Sequence, residues 1–161
     1  MFDFHISAAS KPDLYAQLIE AADAIPAGEP DAIANMANLS SLIMEALPDL
    51  NWAGFYRNVG GELVLGPFQG KAACIRIPFG KGVCGAAAAE RRTVVVPDVH
   101  AFPGHITCDA RSRSEIVVPA FGPAGELIAV LDIDSDRVAA FDDQDREALE
   151  RLLGWVSASR S

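Results

Sequence analysis

Hydrophobic positions change their period once along the chain, from helical to alternating, just past Pro48. Upstream, Leu14, Leu18, Ala21 and Ala22 recur at helical spacing, which predicts a helix from Lys11 to Ile25 that stops at Pro26. A second helix is predicted from about Asp31 to Leu47, with Ile33, Met36, Ala37, Ile43, Met44 and Leu47 as its buried stripe, and Pro48 ends it. Downstream, Leu50 to Asn58 reads as a strand, and Gly60-Gly61 turns it into a second, Glu62 to Leu65. A loop with Gly66, Pro67, Gly70 and Lys71 leads to a short strand, Cys74 to Phe79. Gly80 to Gly85 then opens a small-residue helix, Gly85 to Arg91, and Thr93 to Val96 is a β-branched strand. Asp98 to Ser114 has no clear period, and connections of that length usually carry function. Strands at Glu115 to Phe121 and Glu126 to Asp134 flank Gly122-Pro123-Ala124-Gly125. A closing helix, capped by Asp142 or Asp143, runs to about Val156.

Mainly antiparallel strands with helices at both ends imply one α+β domain over residues 1–161, with its helices packed on one face of a central sheet. The other face, or a pocket beside it, is left for a ligand. Half of the 161 residues are apolar, enough for a sizeable core. The net charge of −9, from 13 basic and 22 acidic residues, argues against nucleic acid and against an anionic membrane surface. A small soluble substrate suits it better. The N-terminus shows no secretory signal, and no apolar stretch approaches the roughly 20 residues of a membrane span, so a cytoplasmic protein is expected. Three cysteines, Cys74, Cys84 and Cys108, are an odd set for a secreted disulfide framework and would rest as thiols in a reducing compartment.

The last hairpin carries the sharpest physical clue. If its turn pairs Phe121 with Glu126, Glu115 falls opposite Asp132, and Asp132 and Asp134 share that face by strand alternation. Three carboxylates this close must hold a cation, share a proton or stand in water. Calcium or magnesium fits oxygen ligands, although no Asp-rich loop of EF-hand form is present. A substrate ammonium or a catalytic proton explains the cluster equally well, and a solvated strand end is the plain alternative. A one-residue slip would separate Glu115 from the pair. On the first strand, Trp52 and Tyr56 also share a face, either as core or as an aromatic wall of a pocket whose floor is opened by Gly54.

Cys108 lies seven residues before Glu115, in the long loop that can fold back over the strand's end. His105, Arg111 and Arg113 could stabilise a thiolate there, and Asp109 would oppose them. The alternative for all three cysteines is a buried small hydrophobe. Their spacing is poor for zinc.

Seven segments carry a specific resemblance. Asn51-Trp52-Ala53-Gly54-Phe55-Tyr56, Leu65-Gly66-Pro67-Phe68-Gln69-Gly70-Lys71, Cys74-Ile75-Arg76-Ile77 and Gly80-Lys81-Gly82-Val83-Cys84-Gly85 are four of them. His105-Ile106-Thr107-Cys108-Asp109, Ser114-Glu115-Ile116-Val117 and Leu131-Asp132-Ile133-Asp134-Ser135 complete the set. Together they resemble the free methionine-R-sulfoxide reductases, a GAF-domain family, over most of the chain, from about Leu14 to Leu153, with a domain core at about 14–156.

The resemblance implies a single GAF domain that reduces free L-methionine-(R)-sulfoxide. It implies Cys108 as nucleophile, passing through a sulfenic acid, and Cys74 as the thiol that resolves it to a disulfide. Cys84 ranks below them as an auxiliary thiol. It places Glu115, Asp132 and Asp134 around the sulfoxide oxygen, with Trp52 and Tyr56 as pocket walls, and makes the loop from Gln69 to Cys74 a candidate for holding the amino-acid ends. Thioredoxin is the implied reductant. No cofactor and no metal are expected, and a homodimer is left open. The rival reading is a non-catalytic GAF module that senses a small molecule or an oxidant.

Overall fold

The computed structural model describes residue 6 and residues 10–25, 28–106 and 109–154. Helices α1 (Lys11–Ala24) and α2 (Ala32–Ala46) precede a hairpin of β1 (Leu50–Val59) and β2 (Glu62–Gly70). Then follow β3 (Arg76–Pro78), α3 (Gly82–Glu90), β4 (Val94–Val96), β5 (Ser114–Phe121), β6 (Leu127–Ser135) and α4 (Asp143–Leu152). The strands form one six-stranded sheet in the order β3-β2-β1-β6-β5-β4, and every neighbouring pair is antiparallel.

Strand alternation divides the apolar residues between two cores. Phe55, Ile116, Leu131 and Ile133 bury one face of the sheet under α1, α2 and α4, together with Leu18, Ile43 and Leu149. The terminal helices therefore share one face, as expected from the sequence. A capping box between Asp142 and Asp145 starts α4, and α1 is tied to it by Tyr15, whose hydroxyl donates to Asp145 at 2.6 Å. Lys11 Nζ donates to the other Asp145 oxygen, also at 2.6 Å. The opposite face carries Trp52, Tyr56, Val117 and Val130, packed against Val83, Cys84, Ala87 and Ala88 of α3. α3 thus lies across the face that the sequence left for a ligand, and its alanines keep it close to the sheet.

Several boundaries move. β2 runs to Gly70, through the Gly66-Pro67 segment expected as loop, because β1 continues to pair with it up to Trp52. β3 shrinks to three residues, and α3 begins at Gly82 rather than Gly85. In α2, Leu39 and Leu42 join the buried stripe, while Ile33 and Ala37 are exposed; Ile33, on the first turn, sits beside Val59 at the hairpin end of the sheet. Pro26 and Val156, the expected ends of the first and last helices, lie outside the described residues.

The β5–β6 register corrects one expectation and preserves its consequence. Phe121 pairs with Leu127 rather than Glu126, and an irregularity between Ala120 and Phe121 adds a second one-residue shift. Glu115 therefore lies opposite Asp134, and Asp132 lies opposite Val117. Two single shifts sum to an even number, so no side chain changes face. The three acids remain together.

Gly54 has a different task from the one expected. A Cβ there would come within 2.3 Å of Phe68 Cβ and 2.9 Å of the Pro67 carbonyl oxygen. The missing side chain lets β2 close onto β1 at the register shift between Gly54 and Tyr56. It does not open the pocket floor. Gly54→Ala is expected to destabilise the fold by about 1–3 kcal/mol or more, the usual range for overpacking. Urea unfolding checks this, with a wild-type midpoint as the contrary result.

Candidate functional site

Glu115 on β5 and Asp132 and Asp134 on β6 converge on the sheet face under α3, beside Trp52 and Tyr56 of β1. All five line one pocket, closed from above by Lys81–Cys84 at the start of α3, by the 71–73 loop and by His105. Glu115 is 5% exposed and Asp132 6%, which removes the solvated strand end as an explanation. Among the described residues no lysine or arginine pairs with any of the three acids. Their nearest basic group is His105, whose Nε2 stands 3.6 Å from Glu115. Burial lowers its pKa, so it is neutral at physiological pH.

The electrostatic consequence is direct. Glu115 is pushed well above the usual carboxylate range, first by burial and then by the charge of Asp134. Asp132 is raised by burial and by Glu115, and Asp134 by burial and by Asp132. Glu115 Oε1 and Asp132 Oδ1 are buried without a hydrogen-bond partner. Like charges at this range oppose joint ionisation, so the carboxyls of this cluster favour their protonated forms and titrate as a unit.

The aromatic residues hold the neighbouring loop. Trp52 Nε1 donates to the Lys71 carbonyl at 3.0 Å, and the Tyr56 hydroxyl donates to the Cys74 carbonyl at 2.9 Å. Trp52 stacks on Tyr56 and on Phe68, with ring centroids 5.9 and 5.2 Å apart. These contacts fix Cys74 beside the pocket and engage two carbonyls of the 69–74 segment. Cys74 is disulfide-bonded, whereas Cys84 is a free, buried thiol facing the acids. Burial and the charge of Asp132 push the Cys84 thiol well up, which favours its protonated form. Cys108 lies outside the described residues.

The long 98–113 connection closes over the ends of β5 and β6. The Arg113 N–H donates to the Ser135 carbonyl at 2.7 Å, and the Val99 N–H to the Arg113 carbonyl at 2.8 Å. Its charges are arranged differently from the sequence expectation. Arg111 is committed to Asp109 at 2.8 Å and Arg113 Nη1 meets His100 Nε2 at 3.0 Å, so neither arginine is an uncommitted cation. Asp109 is held well below the ordinary range by the Arg111 guanidinium. Asn51 anchors the same loop, donating from Nδ2 to Asp109 Oδ2 at 3.2 Å and to Ser112 Oγ at 3.0 Å. Asn51, Ser112, Lys71 and Lys81 were not singled out as site residues by the sequence. For Asn51 the signal was a buried polar residue opening a strand of otherwise apolar, inward-facing positions.

Comparisons with known proteins follow the same outline. A GAF domain model matches residues 34–158. The free methionine-R-sulfoxide reductase of Escherichia coli is 49% identical over 91% of this chain and 88% of its own. The enzyme of that name from Saccharomyces cerevisiae is 44% identical over 93% and 87%. A crystal structure of the Neisseria meningitidis free methionine-R-sulfoxide reductase in complex with its substrate superimposes with a TM-score of 0.94 at 46% identity, covering 99% of this chain and 96% of that one.

The raised carboxyl pKa values set a pH dependence with a definite sign. Below the ordinary carboxylate range both folded and unfolded chains hold these protons. As pH rises past that range the unfolded chain releases them and the folded chain does not, so stability falls until the folded pKa values are passed. Asp132→Asn removes one such group and is expected to raise the midpoint of thermal unfolding at neutral pH by about 2–4 °C. It should also flatten the decline between acid and neutral pH. Calorimetry across that interval checks this; a neutral-pH loss of stability with an unchanged slope contradicts it.

Proposed function

This chain belongs to the GAF-domain family, with free methionine-R-sulfoxide reductases among its near relatives, and from that premise we propose that it reduces free L-methionine-(R)-sulfoxide to methionine. The observation that carries the reading is the acid cluster, its carboxyl pKa values raised by burial and by mutual charge, in an aromatic-walled pocket beside a disulfide-bonded Cys74. A sulfoxide oxygen leaves only when it is protonated. A carboxyl kept neutral at physiological pH by burial and by its neighbours is the donor that this step requires.

In this reading the Cys108 thiolate attacks the sulfoxide sulfur while a carboxyl of the Glu115, Asp132 and Asp134 group protonates the oxygen. The protonated oxygen transfers from the substrate sulfur to Cys108 Sγ as the transient sulfur–sulfur bond breaks, so methionine departs with its sulfur reduced and Cys108 is left oxidised as a sulfenic acid. The Cys74 thiol displaces that oxygen as water, leaving a Cys74–Cys108 disulfide. Reduced thioredoxin reopens it by thiol–disulfide exchange and is itself oxidised. The disulfide-bonded state of Cys74, beside a free Cys84, supports this division of labour. The raised pKa of Cys84 supports its lower rank as an auxiliary thiol. Trp52 and Tyr56 wall the substrate's methyl end. Lys71 and Lys81, both lining the pocket, face the substrate's carboxylate end. Lys81–Cys84, the 71–73 loop and His105 close over this face of the sheet, which supports a free amino acid as substrate.

Methionine release from the purified R and S epimers, with dithiothreitol as reductant, tests the reading. Release from the R epimer alone is expected. Release from neither epimer by folded, reduced protein would sink the enzymatic reading and leave a ligand-sensing module. Cys108→Ser is expected to abolish turnover with any reductant. Cys74→Ser should lower thioredoxin-driven turnover more than tenfold while sparing most dithiothreitol-driven turnover. Steady-state assays with each reductant measure the contrast, and equal losses with both would contradict the resolving role.

A further inference from the structure

The pocket brings a further thiol, Cys84, beside two of its acids, a combination that proton donation to a sulfoxide does not need. Cys84 Sγ, a Glu115 oxygen and an Asp132 oxygen all lie within 4.8 Å of one another, on three buried side chains. Glu115 Oε1 and Asp132 Oδ1 have no hydrogen-bond partner, and both residues point into the same cavity as the thiol. When both carboxyls ionise, these two oxygens have no donor to accept from, and a cation meets both at once.

We propose that this trio binds a borderline-soft divalent cation of the zinc class. One sulfur and two carboxylate oxygens are the ligand types that zinc takes. Three protein ligands with a fourth position open to the pocket are the usual form of an accessible zinc site. Tetrahedral bonds of about 2.3 Å to sulfur and 2.0–2.2 Å to oxygen bring ligand atoms to roughly 3.5 Å separation, so the trio needs only to close inward. The sulfur decides the class of metal. Calcium and magnesium take oxygen ligands, and a thiolate selects against them. The thiol proton and the protons held by the two carboxyls leave to solvent as the metal bonds form. The cation also supplies the positive charge that Glu115 and Asp132 lack, since no lysine or arginine pairs with either among the described residues. The site stands on its own geometry. One consequence rests on the proposed function: the metal takes the carboxylate oxygens assigned to the sulfoxide, so metal and substrate exclude each other.

Cobalt(II), a spectroscopic stand-in for zinc, tests this on the oxidised protein, where Cys74 is tied up in its disulfide. The expected result is one equivalent of cobalt with a sulfur-to-cobalt charge-transfer band, displaced stoichiometrically by zinc. Cys84→Ser should abolish the band. Asp132→Asn, which keeps the thiol and the side-chain shape, should weaken cobalt binding by at least the roughly 10–100-fold typical of removing a mere orienting partner. Absence of the band in folded wild-type protein overturns the site, as does a band that survives both substitutions. Free methionine-R-sulfoxide should displace the cobalt. A site lost in both variants but indifferent to the sulfoxide upholds the metal site and overturns the placement of the substrate oxygen.

Discussion

Three carboxylates on one sheet face, Glu115 and Asp132 buried and Asp134 half-buried, with no lysine or arginine paired to them among the described residues, are the constraint around which this molecule is organised. Taking one charge from water into a protein interior costs several kcal/mol, and a second charge a few ångströms away adds to it. The chain meets that cost by holding protons rather than by surrounding the acids with lysine or arginine. Everything near the cluster keeps it dry. α3 packs its alanines against the sheet, Trp52 and Tyr56 fill the space beside the acids, and Arg113 ties the end of the 98–113 connection to Ser135 at the end of β6. Exposure of the cluster would return its carboxyls to the ordinary range and remove the proton donor. Burial and reactivity are in this sense one property.

The rest of the fold keeps this face rigid. On the other side of the sheet, α1, α2 and α4 bury the larger core, and the Tyr15–Asp145–Lys11 contacts tie the first helix to the last. That core holds β1, β6 and β5 in fixed register, which places Trp52 opposite Asp134 and Asp134 opposite Glu115. The site is therefore built on strands rather than on loops, apart from two. The 71–75 loop is pinned by hydrogen bonds from the two aromatic side chains, and the 98–113 loop by Asn51. Precision in the acids comes from strand pairing, whereas the two loops are positioned by side-chain hydrogen bonds.

Parity was the most durable information in the sequence. The hairpin turn was placed one residue off and the irregularity near Phe121 was not foreseen, yet Glu115, Asp132 and Asp134 share a face because the two shifts cancel in parity. Helix and strand order was legible from the change of hydrophobic period. Interactions between chemically ambiguous groups were not. Arg111 reads in the sequence as a cation available to a thiol, and only the fold shows it bound to Asp109. Gly54 reads as an opening, whereas it makes room for the backbone of Phe68. α3, nearly all small residues, has no polar face to say which side of the sheet it covers.

The central claim is that this cluster holds a proton at neutral pH, and infrared spectroscopy of the carboxylic C=O stretch tests it without reference to turnover. Spectra of the protein in light and heavy water at neutral pH, compared with those of Glu115→Gln and Asp132→Asn, isolate the signal of the buried acids. A protonated-carboxyl band in the wild type, shifted in heavy water and lost or reduced in both variants, is the result this account predicts. Fully ionised carboxylates at neutral pH, with no such band in well-folded protein, would contradict it.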